Sequence, residues 1–177
     1  MSVGLLLLRL VVGALFVGHG TQKLFGWFGG HGLRGTAGFM ESLGFRNGRW
    51  AAVAAGLAET VGGLLLACGL LTPLAAAAIV GVMVTAALCV HVRNGVWNAN
   101  GGVELPLVYA TAATALAFAG PGAYSVDSVL GLELSGPWYG LAAVALGFLA
   151  ALAATAFRRA PVPAAASQPS PTEQVAA

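Results

Sequence analysis

Residues 3–24 read VGLLLLRLVVGALFVGHGTQKL, and the fold turns on whether this run is a cleaved leader or a helix that stays in a bilayer. Arg9 interrupts the apolar stretch, no basic residue precedes it, and no A-x-A-type cleavage site follows. A retained membrane helix is therefore expected. About 20 helical residues cross a hydrocarbon core of about 30 Å, and helices or closed barrels alone satisfy every backbone group there. The run does not alternate apolar with polar residues, which selects a helix.

The rest of the chain has the same character. Of its 177 residues 58% are hydrophobic and 8% charged, with a mean hydropathy of +0.86, against roughly 25% charged in soluble domains. This excludes a disordered chain, and eight lysines and arginines are too few for a nucleic-acid-binding surface. Two cysteines exclude a disulfide-stapled scaffold, and without a Cys/His cluster at zinc spacing no metal site is predicted.

Four more apolar runs follow. The second spans residues 50–71 and ends at Thr72-Pro73, which reads as an N-cap followed by Pro at the first helical position. The third runs from there to about residue 92, antiparallel to the second. The fourth, 104–119, is short, roughly 24 Å at 1.5 Å per residue, and stops at Gly120-Pro121-Gly122. The fifth begins near Pro137 and ends at Arg158-Arg159, and the following APVPAAASQPSPTEQVAA (160–177) has nothing to bury and is expected to be disordered. Between the first two runs, Leu33, Ala37, Phe39, Met40 and Leu43 recur at helical spacing beside Phe25, Trp27 and Phe28. That segment is expected to lie at the interface as an anchor, a reading favoured over a substrate gate.

Charge sorts by side. Lys23, Arg34, Arg46, Arg49, Arg93, Arg158 and Arg159 fall on one side, and Asp127, Glu133 and Arg9 on the other. The positive-inside rule then puts the N-terminus outside and the C-terminus in the cytoplasm. Arg9 is expected to snorkel outward or pair with Asp127.

Ionisable groups inside spans are costly and tend to mark function. His19, Gln22 and Lys23 share one face at the end of the first helix. Glu59 lies inside the second, His91 closes the third, and Glu104 opens the fourth after a loop carrying Asn94, Asn98 and Asn100. Because helices alternate direction, all of these meet on the basic side. Glu59 needs a partner or a proton, which Lys23 or His19 could supply. One reading is a hydrogen-bonded network that only fixes helix packing. The other is a pocket for a polar head group in which His19, Glu59 and His91 are candidate proton carriers and Gln22, Lys23, Asn98 and Glu104 candidate ligand contacts. For Lys23 and Glu104 alone, solvation at the interface is favoured.

The cysteines are read as packing residues. In a hairpin about Thr72-Pro73, Cys68 and Cys89 would be separated by ~18 Å along the axis, too far for a disulfide. Ala77, Gly81, Thr85 and Ala143, Gly147, Ala151, small residues four apart, permit close helix approach.

The ordered motifs RLVVGALFVGHGTQKLFGWFGGHGLRGTAGFMESLGF (9–45), GLAETVGGLLLACGLLTPLAA (56–76), CVHVRNGV (89–96), GGVELPL (101–107) and GPGAYSVDSVLG (120–131) closely resemble the DoxX family of small bacterial membrane proteins. The resemblance covers about residues 5–131. It implies a four-helix transmembrane bundle, so the expected organisation is an all-α membrane core over 1–131 with an interfacial segment at 25–48, an additional transmembrane helix over 132–159, and the tail. It also implies residence in the bacterial plasma membrane and likeness to the membrane subunit of a thiosulfate:quinone oxidoreductase. His19, Gln22, Lys23, Glu59, His91 and Glu104 match the family's polar pattern, with Ser125 and Asp127 in the GPG loop. The last two are better suited to capping the VDSVLG turn than to catalysis.

Two functions follow as expectations. One is a subunit of a membrane oxidoreductase whose cluster binds a quinone-like head group. Its electrons would come from a redox partner protein, since three histidines on different segments give no spacing for haem or iron–sulfur and the Gly-rich segment is no flavin loop. The other is a non-catalytic scaffold or small transporter. Transport is the weaker option, because Thr85, Thr111 and Thr114 are the only polar groups inside the third and fourth helices and no inverted repeat is visible. Self-association is compatible with either.

Overall fold

The computed structural model describes residues 2–156 and 158–159; the expected disordered tail, 160–177, lies outside the described residues. Among these the chain forms helices and no strand: α1 (Ser2–Phe25), α2 (Gly32–Ser42), α3 (Gly48–Cys68), α4 (Thr72–Ala86), α5 (Glu104–Ala119), α6 (Val126–Val129) and α7 (Pro137–Ala156). Beyond Ala86, α4 widens into a π-helical turn at Ala87–His91 and a 3-10 turn at Val92–Asn94. The apolar helix thus extends over Thr72–Asn94, and it, α1, α3 and α7 are each long and apolar enough to cross a membrane. The 16-residue α5 spans about 24 Å and is the short member. The protein is an all-α membrane protein.

Close approach of backbones organises the core. α1 packs along α3, α3 on α4, and α4 on α5, which returns to touch α1 and closes a four-helix arrangement. Across the antiparallel α1–α3 seam, Gly13 faces Gly63 and Gly20 faces Gly56. A methyl group on Gly13 would stand 2.5 Å from the Gly63 carbonyl, and one on Gly20 would stand 2.6 Å from that of Gly56. In lipid, where apolar burial drives no association, such van der Waals contact is a main attraction between helices. Phe16, Leu66, Ile79, Val80 and Leu116 fill the centre. Val3, Leu7 and Val11 of α1, Leu57 and Leu64 of α3, and Leu149 and Leu152 of α7 point outward, as a lipid-facing surface requires.

The additional helix α7 lies against α4 and α5. Its buried stripe is Gly140, Ala143, Gly147 and Ala151, and a methyl group on Gly147 would meet Val80 Cγ1 at 2.7 Å and the Ala77 carbonyl at 3.0 Å. The two small-residue stripes legible in the sequence are therefore the two sides of one helix contact.

The end of the bundle opposite the basic residues departs from expectation. Arg9 neither snorkels nor forms an ion pair with Asp127. It is fully buried and donates to the carbonyls of Pro121 and Tyr124, because the 120–131 loop folds back over α1 and supplies acceptors closer than water. Thr72 is also not the N-cap of α4. Leu71 holds that position at φ 48°, and the cap is supplied from a distance by Asp127, whose Oδ1 accepts from the Leu71 N–H at 2.8 Å and Oδ2 from the Thr72 N–H at 3.1 Å and hydroxyl at 2.8 Å. Ser125 does cap its own turn, accepting from the Ser128 N–H.

Candidate functional site

At the basic end, α2 lies across α1 and α3. The Thr36 hydroxyl donates to the Lys23 carbonyl at 3.4 Å, which ties the interfacial helix to the last turn of α1. α3 then starts under an Asn47 cap that accepts from the Trp50 N–H at 3.1 Å. Exposed Phe25, Trp27, Phe28, Trp50 and Trp97 lie at this end, and exposed Tyr124, Trp138 and Tyr139 at the other, the two aromatic girdles of a spanning protein.

Within that end, Lys23 and Glu59 meet. Lys23 Nζ donates to Glu59 Oε2 at 2.6 Å; the carboxylate side chain is 3% exposed and the ammonium side chain 26%. This is the only ion pair among the described residues, so Lys23 reaches inward across the α1–α3 seam instead of being solvated at the interface. The geometry is short and charge-assisted, as a buried carboxylate requires.

Exposed His19, one turn before Lys23, and half-buried Gln22, next to Lys23 in sequence, form a second unit. Gln22 Nε2 donates to the Phe28 carbonyl at 3.2 Å, so its Oε1 is turned to His19 Nδ1 at 3.3 Å. An Nδ1–H tautomer satisfies that contact and leaves Nε2 with a free lone pair. His19 also stands edge-on to Phe16, 6.4 Å between centroids, and Phe16 in turn packs at 5.4 Å on Tyr109 of α5. Sequence reasoning missed these two aromatics, although Phe16 precedes His19 by three residues and so shares its helix face.

His91, Asn98 and Glu104 belong to a separate unit. His91 Nδ1 faces the Gly101 carbonyl at 2.7 Å, and Asn94 Nδ2 donates to the same oxygen at 3.3 Å. Glu104 Oε2 accepts from the backbone N–H of Asn98 at 2.7 Å. These contacts fold the 92–103 loop onto the π-helical end of α4. Among the described residues no hydrogen bond joins this unit to His19, Gln22, Lys23 or Glu59.

A third feature at this end carried no signal beyond basic charge. Arg158 Nε donates to the Leu43 carbonyl at 2.8 Å, as does Nη2, while Nη1 lies 2.9 Å from Cys89 Sγ. The guanidinium also stands over the Phe45 ring, 5.3 Å from its centroid. Cys68 and Cys89 are both free.

The polar pairs on α1 and α3 and His91 at the end of α4 all fall inside the stretch, residues 4–92, that the DoxX family model matches. The match stops short of α5, the 120–131 loop and α7. No curated protein and no solved structure matches the chain. Since that stretch is half of the chain and carries its intramembrane ion pair, the protein belongs to the DoxX family.

Proposed function

We propose that this membrane protein is a quinone-binding subunit of an oxidoreductase, holding the head group of a lipid-soluble quinone against the basic end of α1. The supporting observation is the placement of exposed His19, held by Gln22, one turn from Lys23 and its ion pair with the buried Glu59. A bound quinone supplies two-electron, two-proton chemistry. The chain's residues suit its oxygens: His19 Nε2 accepts a proton when neutral and donates as imidazolium, and Lys23 keeps ammonium protons beyond the one given to Glu59. Phe16 and Tyr109 offer ring surface beside His19. In this reading electrons arrive from a redox partner protein, the membrane is the bacterial plasma membrane, and the basic end is cytoplasmic by the positive-inside rule.

The experiment is lipid extraction from the purified protein. Quinone is expected in the wild type and depleted in His19→Ala and Glu59→Gln variants that still unfold cooperatively. Absence of quinone from the wild type, or equal retention in both variants, would sink the reading. A second reading, a non-catalytic scaffold, is favoured by the closure of Lys23 on Glu59, which compensates the charge of the carboxylate within the fold. It expects alanine at His19, Glu59 or His91 to lower thermal stability without removing a specific activity.

A further inference from the structure

The outer face of α2 and the first turn of α3 enclose an open groove of about 460 Å³ that includes none of the quinone-site residues. Arg34 of α2 and Arg49 of α3 line it, with Leu33, Ala37 and Gly38 as an apolar floor and Glu41 as the one carboxylate. Neither arginine forms an ion pair among the described residues, and exposed Arg46 stands in the connecting loop. Trp27 and Phe28 precede α2 and Trp50 follows Arg49, all strongly exposed, which sets the groove at head-group depth. Glu41 is exposed, and its stem passes close to Gly48, where an added methyl group would stand 2.6 Å from Cγ.

We propose that this groove binds the phosphate of an anionic phospholipid. Guanidinium forks match phosphate oxygens two at a time. The lining carries more positive than negative charge, so an anionic lipid fits it better than a zwitterionic one, and the apolar floor receives the start of the acyl region. The groove would fix α2 on the membrane surface, and through the Thr36–Lys23 contact would hold the last turn of α1.

The test is native mass spectrometry of the full chain released from nanodiscs of equal phosphatidylglycerol and phosphatidylcholine. The wild type should retain phosphatidylglycerol preferentially. Arg34→Gln/Arg49→Gln should lower that retention by about 30-fold, from the worth of two surface arginines near anionic lipid, with an unchanged thermal transition showing that the fold survives. Glu41→Gln should raise retention. Equal retention of the two lipids, an unchanged double variant, or a fall in Glu41→Gln would each overturn the proposal. So would displacement of phosphatidylglycerol by millimolar inorganic phosphate, which would mean that the groove takes a free anion.

Discussion

Lys23 and Glu59 join α1 to α3 through one 2.6 Å contact at the basic end of a seam where Gly13 and Gly20 meet Gly63, Gly56 and the Thr60 side chain. Removing one partner leaves the other charge without compensation in a dry setting, which typically costs 3–5 kcal/mol. Lys23→Met is therefore expected to destabilise the protein by about that much, and Lys23→Met/Glu59→Leu to recover most of it. Denaturation in detergent across the four-member cycle measures the coupling; additive single effects would show that the pair does not act as a unit.

At the opposite end, Gly69 is where α3 meets both Arg9 and the 120–131 loop. Its φ is +65°, and an added methyl group would stand 2.1 Å from Arg9 Nη1 and 2.6 Å from Ser125 Cβ. Its carbonyl also accepts from the Asp127 N–H at 2.9 Å. Gly69→Ala should cost about 1–3 kcal/mol from backbone conformation alone, and more from displacing Arg9. Arg9→Leu should strand the Pro121 and Tyr124 carbonyls, at about 1–3 kcal/mol for each left unpaired. Unfolding midpoints near wild type for both variants would contradict this account of the cap.

The helices were legible because hydropathy and the Pro and Gly stops are local properties. The 104–119 limits match α5 residue for residue, and the two small-residue stripes do face each other. Long-range polar contacts were not legible in the same way. Counting helices placed Arg9 and Asp127 at the same end of the bundle but could not show that a folded-back loop would bury the arginine, or that Asp127 would cap a helix 55 residues away. Alternating helix direction gathered His19, Glu59, His91 and Glu104 at one end. Only packing divides them into an α1–α3 pair and a loop-closing unit, because helix order around the bundle is not written in the chain.

Gly147 tests whether α7 belongs to the folded unit or merely follows it. A leucine there would drive into Val80 and the Ala77 carbonyl, and overpacking of this kind costs about 1–3 kcal/mol. Because α7 packs mainly on α4 and α5, Gly147→Leu should release α7 while preserving the Lys23–Glu59 coupling. Limited proteolysis of the 130–136 connection should accelerate, with the double-mutant cycle unchanged; a lost coupling would mean that α7 is integral to the core.

Arg158 makes a second attachment of α7, at its far end. Its guanidinium spans the Leu43 carbonyl, the Phe45 ring and Cys89, and the next residue's N–H donates to the Gly44 carbonyl at 2.9 Å. The α2–α3 connection is thus held by a residue just past α7, 115 positions further along the chain. A hydrogen bond to a charged group is worth about 1.5–3 kcal/mol, so Arg158→Ala should speed amide exchange of the 43–45 segment by roughly 10- to 100-fold. Lysine at this position retains the charge but not the fork that reaches Leu43 and Cys89 together, and should restore only part of the protection. Exchange at 43–45 that is unchanged in the alanine variant would show that the loop holds its shape without the Arg158 side chain.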